Sequence, residues 1–183
     1  MANPLSADHI AASQGGFEPQ RKNNFVMEFG VPNPDDAEVL RLSVKAGFLP
    51  NVENDDITIP WGNEERYVAG KAKFAAGTVM FHDYVDQRTK EALMTWRRQV
   101  YNEVNGAIGL AAFYKREVRI IQFGPDGTIL KTWKLVGCFP RKLNPGEADY
   151  SSGEANVIEV EFRYDKAVPD FIDPAIGIQN ALA

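Results

Sequence analysis

The sequence predicts a mainly β protein: antiparallel strands forming a barrel or sandwich, one packed α-helix, and an extended arm. Three observations predict it. Apolar and polar residues alternate with a period of two in several short stretches, most clearly at 157–164. "GPDG" at 124–127 links two such stretches as a tight hairpin turn would. Only one stretch, 87–104, shows a strong helical period. Strands followed by one helix and more strands, with hairpin links, favour an antiparallel barrel or sandwich over alternating β-α units.

In chain order, residues 1–24 read as a lead-in to a single domain at 25–168. Ser6 is placed to cap a short helix that runs through Ser13 with Ile10 as its apolar contact, and Gly15-Gly16 breaks it. The first strand, 25–29, puts Phe25, Met27 and Phe29 on one face. "PNPDD" at 32–36 reads as a turn, and 39–46 as a half-buried strand with Leu40, Leu42, Val44 and Ala46 facing one way. Residues 48–70 form the extended arm, and 78–84 a further strand.

The helix at 87–104 takes Asp86 as its N-cap. Leu93, Trp96 and Val100 form its core stripe, and Asn105-Gly106 supplies its stop. Strands at 117–123 and 128–137 make the hairpin. A break is expected at Pro140. In the last strand Ile158, Val160, Phe162 and Tyr164 share one face, and Val157, Glu159, Glu161 and Arg163 the other. Residues 169–183 form a Pro-broken tail whose end, "AIGIQNALA", is uncharged and fairly apolar.

Composition narrows the function. The 183 residues carry a formal net charge of −5, which argues against duplex binding through phosphate neutralisation. One cysteine, Cys138, forms no intramolecular disulfide, and a reducing compartment fits. Asp8, His9 and Glu18 interrupt the first twenty residues, so no signal peptide is expected. No apolar run approaches the roughly 20 residues of a bilayer span, so no membrane insertion is expected.

Chemistry is sparse. His9 lies in the lead-in, and His82 lies mid-strand without a second ligand at metal-like spacing. Cys138, beside Phe139 and Pro140, reads as a buried inert thiol. Asp35-Asp36 and Asp55-Asp56 do not match a calcium loop and read as solvated turn acids. The Gly70-Lys71 pair lacks P-loop spacing, and "YSSGE" is not a nucleophile elbow. No catalytic residue, cofactor or metal is expected. The arm is the stronger signal. Its apolar strip of Ile57, Ile59, Pro60 and Trp61 makes a local hairpin or an anchor on another subunit, with Trp61 as the natural hot spot.

The order and spacing of several stretches resemble the tail tube proteins of contractile-tailed bacteriophages. The resemblance runs from about Phe17 to Val168. It is carried by "FEPQRKNNFVMEF" and by the arm with its Ile-Pro-x-Gly-Asn between flanking strands. The helix "TKEALMTWRRQVYN" and the hairpin, "GCFP" stretch and closing strand complete it. The resemblance implies a β-barrel protomer forming hexameric rings that stack into a hollow tube inside a contractile sheath. The implied partners are further copies of the chain, sheath protein, baseplate and tail terminator proteins. The tape measure protein and genomic DNA would occupy the lumen without sequence-specific binding. The implied location is the virion, after assembly in the host cytoplasm. The arm would contact adjacent protomers and the next ring. On that reading Glu159 and Glu161 are candidates for a lumen wall that repels phosphate.

The alternatives are a tube subunit of an R-type bacteriocin, an extracellular contractile injection particle or a type VI secretion system. In another class stands a small-ligand-binding β-barrel, with Leu40, Leu42 and Val44 or Ile158, Val160 and Phe162 lining its cavity.

Overall fold

A computed structural model describes residues 19–146, 149–151 and 153–170. The helix expected near Ser6 and the apolar end of the tail lie outside them. The elements are β1 (Phe25–Phe29), α1 (Pro34–Ser43), β2 (Val44–Ala46), β3 (Val52–Trp61), β4 (Glu64–Phe74), β5 (Gly77–His82), α2 (Arg88–Val100) and α3 (Ala111–Tyr114), followed by β6 (Arg116–Phe123), β7 (Ile129–Asn144), β8 (Val157–Arg163) and β9 (Lys166–Asp170).

Seven strands form one antiparallel sheet in the order β1-β6-β7-β8-β5-β2, with β9 also paired to β7. The long strand β7 lets this sheet wrap. Its first half pairs with β6 and β9, and its second half pairs with β8. Between the halves Gly137 takes φ +68, a left-handed value that turns the strand without a Cβ penalty. The result is a nearly closed barrel-like sheet. β3 and β4 stand apart as a two-stranded hairpin.

The alternation read in β8 is the core pattern. Ile158 and Val160 are wholly buried, and Phe162 and Tyr164 nearly so. Phe162 packs against Phe29 of β1 at 5.8 Å, Phe81 of β5 at 6.5 Å and Trp96 of α2 at 5.5 Å between ring centroids. One side chain thus touches both halves of the sheet and the helix. Burying side chains of this size contributes roughly 1.5–3 kcal/mol each. The Ile158, Val160 and Phe162 face therefore fills a core rather than lining a cavity.

Six sequence expectations are corrected. Residues 39–43 are not strand: α1 runs from Pro34 to Ser43, and only Val44–Ala46 is extended. The cluster read as a turn starts this helix. The Asn33 side chain accepts a hydrogen bond from the Asp35 amide at 3.2 Å. Pro34 occupies the first turn, where its missing N–H costs nothing, and Asp35 and Asp36 complement the positive end of the helix. Leu40 and Ser43, three apart, are buried, whereas Leu42 is 65% exposed. The Ser43 hydroxyl meets that of Thr89 at 2.7 Å, which fastens α1 to α2. Two helices therefore pack on the sheet, not one.

The main helix ends at Val100 rather than 104, because Tyr101 turns extended and bridges to Ile108. Gln87, not Asp86, occupies its cap position, although the Asp86 carboxylate accepts from the Arg88 amide at 3.4 Å. Pro140 does not break the chain: β7 continues through it to Asn144. It faces Phe162 at an irregularity in the β7–β8 pairing, where a missing N–H is tolerated.

Replacing Leu40 with Ala is expected to cost about 2–5 kcal/mol, as for other buried leucines. Leu42→Ala is expected to stay within about 0.5 kcal/mol, as for exposed positions. Urea unfolding of the two variants checks this, since a strand with both leucines on one buried face would lose similar stability at each.

Candidate functional site

The Gly62-Asn63 pair joins β3 to β4 as a two-residue hairpin turn. Ile57 pairs with Val68, Ile59 with Arg66 and Trp61 with Glu64. Residues in register share a face, so Ile57, Ile59, Trp61 and Val68 form one apolar surface. The Arg66 guanidinium lies over the Trp61 ring at 5.0 Å and orients it. Pro60 pairs with Glu65 and belongs to the opposite face, with Thr58 and Tyr67. The four-residue strip is thus divided: three of its members face one way. Val68 joins them, and only the pairing across the turn reveals it.

This surface is uncovered. Every residue of β3 is exposed, as is all of β4 except Gly70 and Phe74. Ile57 is 52% accessible, Ile59 43%, Trp61 63% and Val68 50%. The hairpin's root is firm by contrast. Phe48, ahead of β3, stacks on Tyr164 at 5.9 Å, and Phe74, at the end of β4, packs on the same ring at 5.8 Å. The Ala75 amide closes the base by donating to the Asn51 carbonyl at 3.2 Å. Lys73 and Asp55 form an ion pair near the root at 2.6 Å. A firmly rooted hairpin with an exposed apolar face is the kind of surface that marks interaction sites in proteins.

The barrel itself offers further contact surface. Among the described residues β1 pairs only with β6, β2 only with β5 and β9 only with β7. Each leaves one side of its backbone unpaired, a template for another chain.

Glu159 and Glu161 lie on the outer face of β8. Glu159 sits between Met80 and Asn144 and is exposed. Glu161 sits between Thr78 and Lys142, and its carboxylate accepts from Arg141 at 2.9 Å. The two carboxylates share a wall that also carries Arg141 and Lys142, so its acidity is partly offset. On the other half of the sheet Glu117 bridges Arg119 at 2.9 Å and Lys134 at 2.7 Å. The Lys134 hydrogen bond, assisted by Arg119, holds the Glu117 carboxyl below the usual carboxylate range.

Catalytic machinery is thin on the ground. No group of three or more His, Cys, Asp or Glu side chains able to hold a metal occurs among the described residues. Cys138 is buried, and burial pushes its thiol well up, which opposes thiolate chemistry. His82 packs beside the Tyr84 ring at 6.3 Å. No helix among the described residues is long and apolar enough to cross a membrane.

Comparison with known proteins agrees with this geometry. The family described as T4-like virus tail tube protein gp19 matches residues 21–168. A tail tube protein of Serratia phage KSP90 is 27% identical over 166 residues, covering 87% of this chain and 93% of that protein. In fold, the chain resembles a component of the sheath-tube complex of the extracellular contractile injection system PVC, with a TM-score of 0.62 at 19% identity over 91% of this chain and 99% of that one. It also resembles a chain of the anti-feeding prophage baseplate, with a TM-score of 0.64 at 14% identity over 84% of this chain and 97% of that one.

Two outcomes are expected of the isolated subunit. Trp61→Ala leaves its unfolding free energy within about 0.5 kcal/mol of the parent, as at other exposed positions, and lowers the acrylamide-quenchable part of the tryptophan fluorescence, of which the half-buried Trp133 keeps a share. Because the Glu117 carboxyl is held low, the stability it adds is present above the ordinary glutamate range and lost as pH falls through its folded-state value. Glu117→Gln should therefore flatten the acid limb of the stability-versus-pH curve, read by thermal melts across that range.

Proposed function

The chain belongs to the T4-like virus tail tube protein family, and from that premise we propose that its copies close head to tail into hexameric rings that stack as a hollow tube inside a contractile sheath. The observation that carries this reading is the β3–β4 hairpin, with Ile57, Ile59, Trp61 and Val68 presented away from their own barrel. Each subunit lays this face on an adjacent copy, where Trp61 is the anchor. A contact between unlike patches makes a ring if it closes. The unpaired sides of β1, β2 and β9 continue the sheet around the ring, which removes the edges by using them.

The role is structural rather than enzymatic. The tube belongs to the virion and is assembled in the host cytoplasm, with sheath, baseplate and terminator proteins around and at its ends. The tape measure protein and then the genome occupy its channel. Glu159 and Glu161 face that channel and keep phosphate from adhering as DNA passes to the host. The likeness to injection-system tubes supports a second reading, a tube subunit of a particle that carries protein instead of a genome. Neighbouring capsid and packaging genes separate the two.

Electron microscopy of the purified chain across a concentration series tests the proposal. Rings or hollow tubes are expected from the parent chain. Trp61→Glu, which leaves a charge inside the contact, should yield folded subunits and no tubes. Parent chains that stay single at all concentrations, with tail nuclei supplied, would overturn the reading.

A further inference from the structure

β1 and β2 are the two terminal strands of the sheet path, and the seam between them is where the barrel does not close. Gly47, just past β2, meets β1 there. A Cβ at this position would stand 2.7 Å from Met27 Sδ and 3.0 Å from Phe25 Cε2. The mouth of the seam is a pocket of about 380 Å³ whose apolar walls are Phe25, Phe48, Leu49 and Ile120. Ile120 is buried, Phe25 and Phe48 are half-buried, and Leu49 is 54% exposed. A cavity of roughly 150 Å³ already admits a benzene ring, so this one has room for an aromatic side chain.

The pocket is also where the described chain begins. Gln20, Arg21 and Lys22 line its rim. The Phe123 amide donates to the Asn24 carbonyl at 2.9 Å, which ties this lead into β1 to the end of β6. Residues 1–18 precede the described part, and their large apolar side chains are Met1, Leu5, Ile10 and Phe17. Phe17 alone is close in sequence: the chain from it to Gln20 spans at most about 10 Å.

We propose that this pocket is the seat of Phe17 of the same chain, whose ring packs between Phe25 and Phe48 over Leu49 and Ile120. The local sequence aims it there. Glu18 precedes Pro19, which holds it to extended or polyproline backbone. Polyproline II repeats every three residues, so position 17 projects on the side of Gln20, a pocket residue. Aromatic walls suit an aromatic ring. A side chain tethered this closely faces the pocket at an effective concentration in the millimolar range, with which the hairpin of a second copy must compete. The seat also bears on the arm. Phe48 lines the pocket and stacks on Tyr164 at 5.9 Å beneath the hairpin, so a ring seated here supports the segment from which β3 departs.

Melting of full-length point variants, at concentrations below those that give assemblies, tests the proposal. Phe17→Ser should lower the melting temperature by about 4–8 °C, as loss of a buried Phe does in a chain of this size. Phe17→Leu should keep most of the parent's value, and Leu5→Ser and Ile10→Ser should melt with the parent. The loss at position 17 should shrink when Leu49→Ser is already present, because residues in contact couple. Anilinonaphthalene sulfonate, a dye that reports exposed apolar surface, should brighten with Phe17→Ser and not with Leu5→Ser. The gap between the parent and Phe17→Ser should hold on about tenfold dilution, as a contact within one chain requires. Circular dichroism confirms that each variant folds. Phe17→Ser melting with the parent would overturn the proposal, as would additive losses at 17 and 49 or equal dye signals. A gap that fades on dilution gives the pocket to a second copy and overturns it too. No tube is read, so the result is independent of the assembly reading.

Discussion

The packing around Phe162 organises the subunit. Its ring meets Phe29 from one half of the sheet, Phe81 from the other and Trp96 from the helix. Because an interior is packed at the density of an organic crystal, fixing these rings fixes the relative placement of three layers. Trp96 is held in turn by the hydrogen bond its indole N–H donates to the Tyr114 carbonyl at 2.8 Å. Two residues beyond Phe162, on the same face, Tyr164 receives Phe48 and Phe74 from the two legs of the hairpin. One alternating strand therefore anchors both the core and the root of the arm. A disturbance at Phe162 would reach the root of the hairpin through a single strand, by way of Tyr164.

The legibility of the sequence follows from where a pattern is exclusive. In β8 each apolar residue alternates with a polar one, and only a half-buried strand uses that period. The 34–46 stretch is different. Leu40, Leu42, Val44 and Ala46 alternate, but Ala37, Leu40 and Ser43 also fit a helical spacing. The deciding signals were Asn33, Pro34, Asp35 and Asp36, each at home in a turn and equally at home in a helix start. Likewise Pro140 removes a donor, but its effect depends on whether β7 needs that donor, which only the topology reveals.

The apolar hairpin surface was half legible. The apolar strip stood out because a segment of that length has no reason to carry Ile57, Ile59 and Trp61 unless they are covered. Its pairing was available too, since Gly62-Asn63 is a two-residue hairpin signal that sets Ile57 against Val68. Pro60 read as part of the same strip, yet adjacent residues on a strand point opposite ways. The groove between α2 and the second half of β7, which Arg97, Arg98, Glu103, Arg141 and Lys142 help to line, left no local trace. Arg97-Arg98 and Arg141-Lys142 are distant in the chain and become one surface only when α2 lies along β7.

A subunit built this way faces opposing requirements. In the proposed tube the hairpin must be sticky enough to bind a neighbour, yet the chain must remain soluble before assembly. Exposed apolar face and open strand edges on one molecule invite indiscriminate aggregation. Charge offers a way through. Glu64 and Arg66 stand on the same face as Ile57, Ile59, Trp61 and Val68, so a contact that buries this face without answering both charges carries a desolvation cost. In the proposed tube, adhesion comes from Ile57, Ile59, Trp61 and Val68, and selectivity from Glu64 and Arg66 beside them. An overall net charge of −5 acts in the same direction, because it disfavours random encounters between copies. Assembly governed this way is more sensitive to salt than burial alone would make it, since screening weakens the guidance before it weakens the adhesion.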